Sequence, residues 1–301
     1  MSVIVKGAGG GSQKVFIDGV RYKEDLNLIS STSVDISIST LPYDFYYGAS
    51  VVFENEIHIF GSYTGDALTY HYKWNGSEWT YVSKLPNNFS TSSFGGCAVV
   101  YDGEIHILVA SSHYKWNGFE WVSVSTLPYS AGDRACVVYN CEIHLLGGSG
   151  TYTAHYKWNG FEWVSVSTLP YSFYDGCAVV YKNEIHIFGS ASSSITKTNH
   201  YKWNGSEWTS VSTLPYSCYG ASSVVFEDEI HFIGGSGSSI TKTNHYKWNG
   251  FEWVSVSTLP YELHNGCAVV YKNIIHILGS YNSSYRTKHY AICVKRYQEA
   301  I

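Results

Sequence analysis

The chain has 301 residues, of which 14% are charged, and its formal net charge is -5 at pH 7. That balance lacks the strongly basic surface that holds nucleic acid or an anionic membrane. No apolar run reaches the roughly 18 residues of a membrane span, and the first residues lack the apolar stretch and cleavage site of a secretory signal. We therefore expect no nucleic-acid partner, no membrane insertion and a cytoplasmic location after synthesis.

Residue types favour strands over helices. Aromatic residues make up 17% of the chain, with 27 Tyr and 10 Trp, and β-branched residues are common. The seven cysteines are odd in number and none has metal-type CxxC spacing. Cys97, Cys177 and Cys267 share one small apolar segment, GCAVV, where we expect reduced thiols that pack as small apolar groups. The sequence predicts an all-β protein with no metal site and no cofactor.

The first 30 residues differ in composition from the rest of the chain. A Gly-rich start is followed by VFIDGVRYKEDLNLI, in which Asp18-Gly19 between apolar runs predicts a small hairpin within a flexible leader. This leader resembles the start of tail- or baseplate-associated proteins of phages and prophages of Gram-positive bacteria. The resemblance implies attachment to a larger assembly through residues 1–30 and a virion-associated location. Residues 31–301 are predicted to form one separate domain.

A repeat organises the rest of the chain. Six Leu-Pro pairs recur at intervals of 42 to 45 residues, with their prolines at positions 42, 86, 128, 170, 215 and 260. A period of that length is typical of one propeller blade. Each unit contains two short apolar strands, then HYKW, an Asn-Gly turn and EWVSVS. Because Asn-Gly is a strong hairpin signal, the unit predicts a blade of four antiparallel strands.

Tyrosine and tryptophan recur at fixed places in these units. The pairs are Tyr72 and Trp79, Tyr114 and Trp121, Tyr156 and Trp163, Tyr201 and Trp208, and Tyr246 and Trp253. Double glycines follow the second strand at 147–148 and 234–235. In these features the units resemble the kelch repeat. The resemblance implies a six-bladed β-propeller, a fold on which many unrelated functions occur.

The two ends of the repeat region each hold part of one blade. The sixth unit ends as HYAICVKRY without an Asn-Gly hairpin, while VDISISTLP near the start matches EWVSVSTLP of the other units. We expect a strand over 34–39 to pair with the strand near 288–295, since ring closure removes the free edges of an open array.

One face of the predicted ring is the candidate binding face. In an antiparallel blade the loops after the second and fourth strands lie on the same face. Three units share 17 identical residues, HYKWNGFEWVSVSTLPY, whereas the segments after Leu-Pro differ. Variation confined to loops on a constant scaffold indicates recognition, and tyrosine offers a rigid ring with a polar tip to a sugar or a protein. The candidate ligand-binding residues are Tyr43, Phe45, Tyr46, Tyr47, Phe89, Asp133, Arg134, Phe173, Tyr174, Asp175, Tyr219, His264 and Asn265.

Histidines and carboxylates give no catalytic constellation in the sequence. Twelve of the 13 histidines occupy two repeated positions, EIHI and HYKW, so we expect them to hydrogen-bond locally between strands. Only His264 lies in a face loop. The unrepeated carboxylates of the face fall on separate blades, whereas a glycosidase needs two carboxyls about 5–10 Å apart. Those carboxylates are Asp44, Asp66, Asp133, Asp175 and Glu262.

Three hypotheses follow. The first is a non-catalytic module that binds a carbohydrate or a surface protein, derived from a phage receptor-binding part. The second is an intracellular kelch-type scaffold for peptide or protein partners. The third is a sugar-processing enzyme, a hydrolase or epimerase, by analogy with kelch-type enzymes. A binder predicts no unique acid/base pair at the channel mouth, whereas an enzyme requires one.

Overall fold

The computed structural model of the protein describes residues 4–6, 14–17, 20–22, 33–63, 65–87, 95–130, 132–191, 198–237 and 242–294. Over these ranges it consists of strands and one short 3-10 helix, Gly65–Thr69. Within the described parts of the chain, no helix is long and apolar enough to cross a membrane.

Six four-stranded antiparallel sheets are the blades, numbered here in ring order. Blade 1 comprises β5 (Ala49–Phe53), β6 (Glu56–Phe60), β7 (Tyr70–Trp74) and β8 (Trp79–Lys84). Blade 2 comprises β9 (Cys97–Tyr101), β10 (Glu104–Val109), β11 (Ser112–Trp116) and β12 (Trp121–Thr126). Blade 3 comprises β13 (Ala135–Tyr139), β14 (Glu142–Leu146), β15 (Ala154–Trp158) and β16 (Trp163–Thr168).

The remaining three blades repeat this plan. Blade 4 comprises β17 (Cys177–Tyr181), β18 (Glu184–Phe188), β19 (Asn199–Trp203) and β20 (Trp208–Thr213). Blade 5 comprises β21 (Tyr219–Phe226), β22 (Glu229–Ser236), β23 (Asn244–Trp248) and β24 (Trp253–Thr258). Blade 6 comprises β25 (Cys267–Tyr271), β26 (Ile274–Leu278), β27 (Lys288–Val294) and β4 (Ser33–Thr40).

The innermost strands close a ring. Strand β5 contacts β9, and the contacts continue through β13, β17, β21 and β25 back to β5. The prediction of an all-β, six-bladed propeller is therefore confirmed. The predicted closure is confirmed as well, because β27 pairs with β4 in a register that places His289 opposite Ser39. The sixth blade thus joins both ends of the repeat region, and β27 is paired on both sides, with β26 and with β4.

The leader contains a separate small sheet. Strands β1 (Ile4–Lys6), β2 (Lys14–Ile17) and β3 (Val20–Tyr22) form a three-stranded antiparallel sheet in that order. The predicted Asp18-Gly19 turn lies outside the described residues, as do residues 23–32. The domain boundary near residue 30 stays a prediction.

The hydrophobic core lies between blades. In one cluster Val51 and Phe60 of blade 1 pack with Ile105, Ile107 and Trp116 of blade 2. The second strand of each blade is largely buried on both faces because a neighbouring blade covers each face. Each such side chain contributes roughly 1.5–3 kcal/mol on burial, so interblade packing holds the ring together.

A hydrogen-bonded relay links blade 6 to blade 1, and continues from blade 1 through blades 2 and 3 to blade 4. His58 Nδ1 lies 2.8 Å from His71 Nε2, and His71 Nδ1 lies 3.1 Å from Ser83 Oγ. The indole N–H of Trp121, in the next blade, donates to the same Ser83 Oγ at 3.0 Å. The local bonding predicted for the repeated histidines is therefore confirmed. The six histidine pairs are His58–His71, His106–His113, His144–His155, His186–His200, His231–His245 and His276–His289.

The relay is interrupted between blades 4 and 5, where the Trp253 indole N–H has no partner among the described residues, and again between blades 5 and 6. Asp35 of β4 takes the register position that Trp79 has in blade 1, so no indole faces Ser257. Within the described residues, Ser257 Oγ and His245 Nδ1 accordingly have no hydrogen-bond partner. The borrowed N-terminal strand closes the ring but leaves this relay without its donor.

Gly147 marks a close approach between blades 3 and 4. Its φ is +60°, and a Cβ there would overlap the backbone carbonyl oxygen of Phe173. Gly147→Ala is expected to lower the free energy of unfolding by about 3 kcal/mol or more, since overlap adds to backbone strain. Gly103→Ala is the matched control: its φ is +72° but nothing lies within 4 Å of the added Cβ, so a loss of about 1 kcal/mol is expected. Urea unfolding measures both, and equal losses would contradict the packing argument.

Candidate functional site

The loops after the second and fourth strands meet on one face around the channel. Tyr47 precedes β5 and Tyr63 follows β6, yet their ring centroids are 5.7 Å apart. Tyr281, which follows β26, lies 6.0 Å from Tyr47 by the same measure. Loops from two blades thus converge on this face, which we call the mouth face.

Six residues, one from each blade, form a collar at the channel mouth. Each lies at or just before the start of the innermost strand of its blade, and each has a left-handed φ between +52° and +62°. We call this set the mouth ring. Its members are Tyr47, Gly95, Asp133, Asp175, Gly220 and Asn265.

Backbone hydrogen bonds join successive members of the mouth ring. The Tyr47 N–H donates to the Asn265 carbonyl, and the Asn265 N–H donates to the Gly220 carbonyl, both at 2.8 Å. The Gly220 N–H donates to Asp175 at 2.9 Å, and the Asp175 N–H donates to Asp133 at 2.8 Å. A left-handed conformation costs roughly 1 kcal/mol for a residue other than glycine, although Asn and Asp tolerate it best. These bonds hold that conformation in place, and strained backbone of this kind concentrates at functional sites.

A cavity of about 120 Å³ opens inside the mouth ring. Carboxyl, amide, phenol and guanidinium groups line it between glycines whose missing side chains leave the space free. The lining residues are Tyr47, Gly48, Gly95, Gly96, Asp133, Arg134, Asp175, Gly176, Asn265 and Gly266.

Asp133 and Asp175 are neighbouring, partly buried carboxyl groups in this cavity. Among the described residues neither side chain has a hydrogen-bond partner. Burial raises the pKa of Asp133 to about 7, opposed by the positive charge of Arg134. Burial, together with the negative charge of Asp133, holds the pKa of Asp175 well above its ordinary value. The raised pKa values favour the protonated form, and a protonated carboxyl can both donate and accept hydrogen bonds.

Arg134 brings a buried cation to the same cavity. Arg134 is 6% exposed, and its Nη2 donates to the Ala110 carbonyl of blade 2 at 2.8 Å. Within the described residues, Nε and Nη1 have no partner. Blades 1, 2, 4 and 6 have glycine at this position, and a Cβ at Gly48, for example, would overlap the Phe45 ring.

Aromatic rings border the cavity. Tyr219 and His264 have ring centroids 5.5 Å apart, and His264 lies 5.8 Å from Tyr281. Tyr63 and Tyr281 are 42% and 47% exposed and so present their rings to solvent. Burial and the nearby Asp175 raise the pKa of Tyr47, so its hydroxyl stays protonated as a hydrogen-bond donor.

The structure brings together part of the predicted residue set. Tyr47, Asp133, Arg134, Asp175 and Asn265 line one cavity, as stated above. The other predicted residues near this rim are Tyr174, Tyr219 and His264.

Several of the predicted aromatic residues are buried or packed against strands. Phe45 and Phe173 are fully buried, because they wedge between the ends of adjacent blades, and Tyr46 is 3% exposed. Tyr43 packs on the outer strands and donates its hydroxyl to the Gly61 carbonyl at 3.1 Å. Phe89 lies outside the described residues.

Sequence reasoning missed Tyr63 and Tyr281. Both follow a Gly-Ser pair at the end of a second strand, so that repeated GSY pattern was the available signal. The expectation that the unique carboxylates lie apart on separate blades is also incomplete. Asp133 and Asp175 do belong to different blades, but ring closure makes them neighbours.

The fold has a counterpart among solved structures, whereas the sequence has no matching family. No family model matches the chain, and no curated protein matches it in sequence. A solved structure titled "Structure of YjhT" superposes with a TM-score of 0.72 at 14% identity, covering 86% of this chain and 99% of the other. The likeness is one of propeller fold.

In the described part of the chain, no three or more His, Cys, Asp or Glu side chains form a group that could hold a metal ion. Cys97, Cys177 and Cys267 are free thiols on the inner strands of three different blades.

Proposed function

We propose that the protein is a recognition module that binds a carbohydrate at the mouth ring. The observation that carries the proposal is a polar cavity set beneath a border of tyrosines. A sugar presents hydroxyl groups at its edges and an apolar C–H face, so it requires both kinds of surface.

Each group at the mouth has a role in this proposal. Asp133 and Asp175 bind sugar hydroxyls through carboxyls that donate as well as accept, and Asn265 adds an amide. The unpartnered N–H groups of Arg134 donate to ring or hydroxyl oxygens. Tyr47 and Tyr219, whose phenols border the same space, offer ring faces for stacking.

A glycan-array screen of the intact chain tests this proposal. Binding by the unaltered protein is expected to weaken at least about tenfold in Tyr47→Ala and Tyr219→Ala, because each loses one stacking face worth roughly 1–2 kcal/mol. Phe119→Ser is the matched control, since Phe119 is 91% exposed in a turn on the opposite face. If the tyrosine variants bind as the parent does, the site is not at the mouth. If the folded parent binds no glycan, the carbohydrate proposal is wrong, and a protein ligand of the same face takes its place.

A sugar-processing enzyme is the second candidate, and one observation favours it. Asp133 and Asp175 form a unique carboxyl pair in one cavity, and burial raises the pKa of both, as a general acid requires. It ranks second because the two are consecutive members of the mouth ring, so both approach a ligand from one side. Glycosidase carboxyls flank the bond that breaks. Incubating the bound glycan with the protein and analysing it by NMR separates the candidates, since only an enzyme gives a new product.

We also propose how the module is used. The tyrosine and tryptophan spacing supports a kelch-like origin of the repeats, and the leader's resemblance supports attachment to a phage tail or a similar assembly through residues 1–30. The mouth face would then meet a carbohydrate or protein of a cell surface. Co-purification of the full chain with such an assembly, lost on deletion of residues 1–30, is the test.

A further inference from the structure

The face opposite the mouth contains grooves between adjacent blades. In four of them a tyrosine that ends an inner strand lies against the glycine of the next blade's Asn-Gly turn. The Tyr271 hydroxyl lies 3.2 Å from where a Cβ of Gly76 would be, and the Tyr139 hydroxyl lies 3.3 Å from that of Gly205. Tyr101 and Tyr181 approach Gly160 and Gly250 similarly, at 3.8 and 3.9 Å. The phenol groups thus reach the turn in all four grooves, joined by the ammonium groups of Lys272 at Gly76 and Lys182 at Gly250.

The groove between blades 1 and 2 is open. Phe53 ends the inner strand of blade 1 and has no hydroxyl, and a Cβ on Gly118 would meet nothing within 4 Å. A cavity of about 190 Å³ lies here. The residues that line it are Phe53, Glu54, Glu56, His58, Lys73, Val82, Gly103, Glu104, Trp116, Asn117 and Gly118.

Negative charge is in excess around this groove. Glu54, Glu56 and Glu104 line it, while Lys73 pairs with Glu56 and Lys115 pairs with Glu104, both at 2.8 Å. Three carboxylates thus face two ammonium groups, which leaves one negative charge without a partner ion. Both ion pairs use one carboxylate oxygen, Oε2, so a ligand can approach the other.

A buried imidazole nitrogen also borders the groove. His58 is 4% exposed, and while its Nδ1 is bonded to His71, its Nε2 has no partner among the described residues. The equivalent nitrogens of His106, His144 and His186 are unpartnered too, so this feature belongs to the repeat. At blade 1 it coincides with an open groove. If His58 Nδ1–H donates to His71 Nε2, then Nε2 is an acceptor for a ligand N–H.

We propose that the groove between blades 1 and 2 binds the guanidinium group of an arginine side chain from a partner polypeptide. A guanidinium has donors in a planar fork that suit carboxylate and imidazole acceptors, and flat faces that suit Phe53 and Trp116. A lysine ammonium has no flat face and suits this site less well. Phe119, which directly follows Gly118, is 91% exposed and gives the partner's adjoining residues an apolar contact.

Titration of the full chain with N-acetyl-arginine amide, followed by calorimetry and by NMR of the histidine ring nitrogens, tests the proposal. Binding with a Kd near the millimolar range is expected for one small side chain. N-acetyl-citrulline amide has a similar shape without the charge and should bind at least tenfold more weakly. Equal binding of the two probes, or no binding of the arginine probe, would overturn the proposal.

Phe53→Tyr is the decisive variant because it places in the open groove the residue that four other blades carry. It should therefore fold, and its binding of the arginine probe should fall at least tenfold. Phe226→Tyr is the matched control: it makes the same change in blade 5, whose next blade lacks an Asn-Gly turn. Unchanged affinity in Phe53→Tyr would place the site elsewhere. Glycan binding at the mouth face should be unaffected in both variants.

Discussion

Acidification from pH 7.5 to about pH 5.5 is expected to unfold the protein, because twelve buried histidines must take up protons. Burial lowers the pKa of the second-strand histidines, as in His58 and His106, to about 4. Burial and the partner imidazole lower the pKa of the third-strand histidines further, as in His71, to about 2. In the unfolded chain the same groups titrate near their ordinary pKa of about 6.5.

Whether stability rises or falls with pH depends on which state, folded or unfolded, binds more protons. Between pH 6.5 and about 4 the unfolded chain binds more protons than the folded one, so stability falls as the pH falls through this window. Above the pKa of about 6.5 that these histidines have in the unfolded chain, they contribute their full stabilisation to the folded state. At pH 5.5 each histidine contributes a loss of about 1 kcal/mol, and the loss of about 12 kcal/mol from all twelve is comparable with the roughly 5–15 kcal/mol that stabilises a typical domain.

Circular dichroism across a pH titration gives the midpoint, and calorimetry in two buffers of different ionisation enthalpy gives the proton uptake. About ten protons per molecule are expected to bind on unfolding at pH 5.5. A folded ring at pH 4, or uptake of only one or two protons, would show that the histidine pairs are charged in the native state.

Asp133→Asn is expected to stabilise the protein at pH 8 while weakening ligand binding at the mouth. Burial raises the pKa of Asp133 to about 7, whereas an unfolded aspartate titrates near 3.8. The folded state holds this proton more tightly, so ionisation of the carboxyl costs stability as pH rises from about 4 through 7. The full cost at pH 8 is up to about 4 kcal/mol. Asparagine removes the charge, keeps the shape and tolerates the left-handed backbone.

Urea unfolding at pH 8 compares the parent with this variant and with Asp66→Asn, an exposed control in the 3-10 helix. Only the Asp133 variant should gain stability. A loss in that variant would show that the carboxylate has a stabilising partner in the native state. A gain accompanied by weaker glycan binding would identify Asp133 as a group kept for function at the expense of stability.

The sequence by itself determined the architecture of this protein. Three local signals were sufficient. The regular Leu-Pro spacing predicted six blades, the Asn-Gly turns predicted four strands in each blade, and the split sixth unit predicted the closing strand. The twelve repeated histidines were predicted to have a structural role, because a residue that recurs in every blade contributes to the blade itself and not to a single site.

Only the tertiary structure decided which side chains meet. Asp133 and Asp175 are far apart in the chain and become neighbours because ring closure brings equivalent positions together and a left-handed backbone turns both into the mouth. Phe45 and Phe173 look like face residues in sequence but fill the wedge between blades. The groove beside Phe53 likewise depends on a missing hydroxyl opposite a glycine of another blade. Strand periodicity fixes contacts within a blade, whereas these contacts cross between blades, where packing decides them.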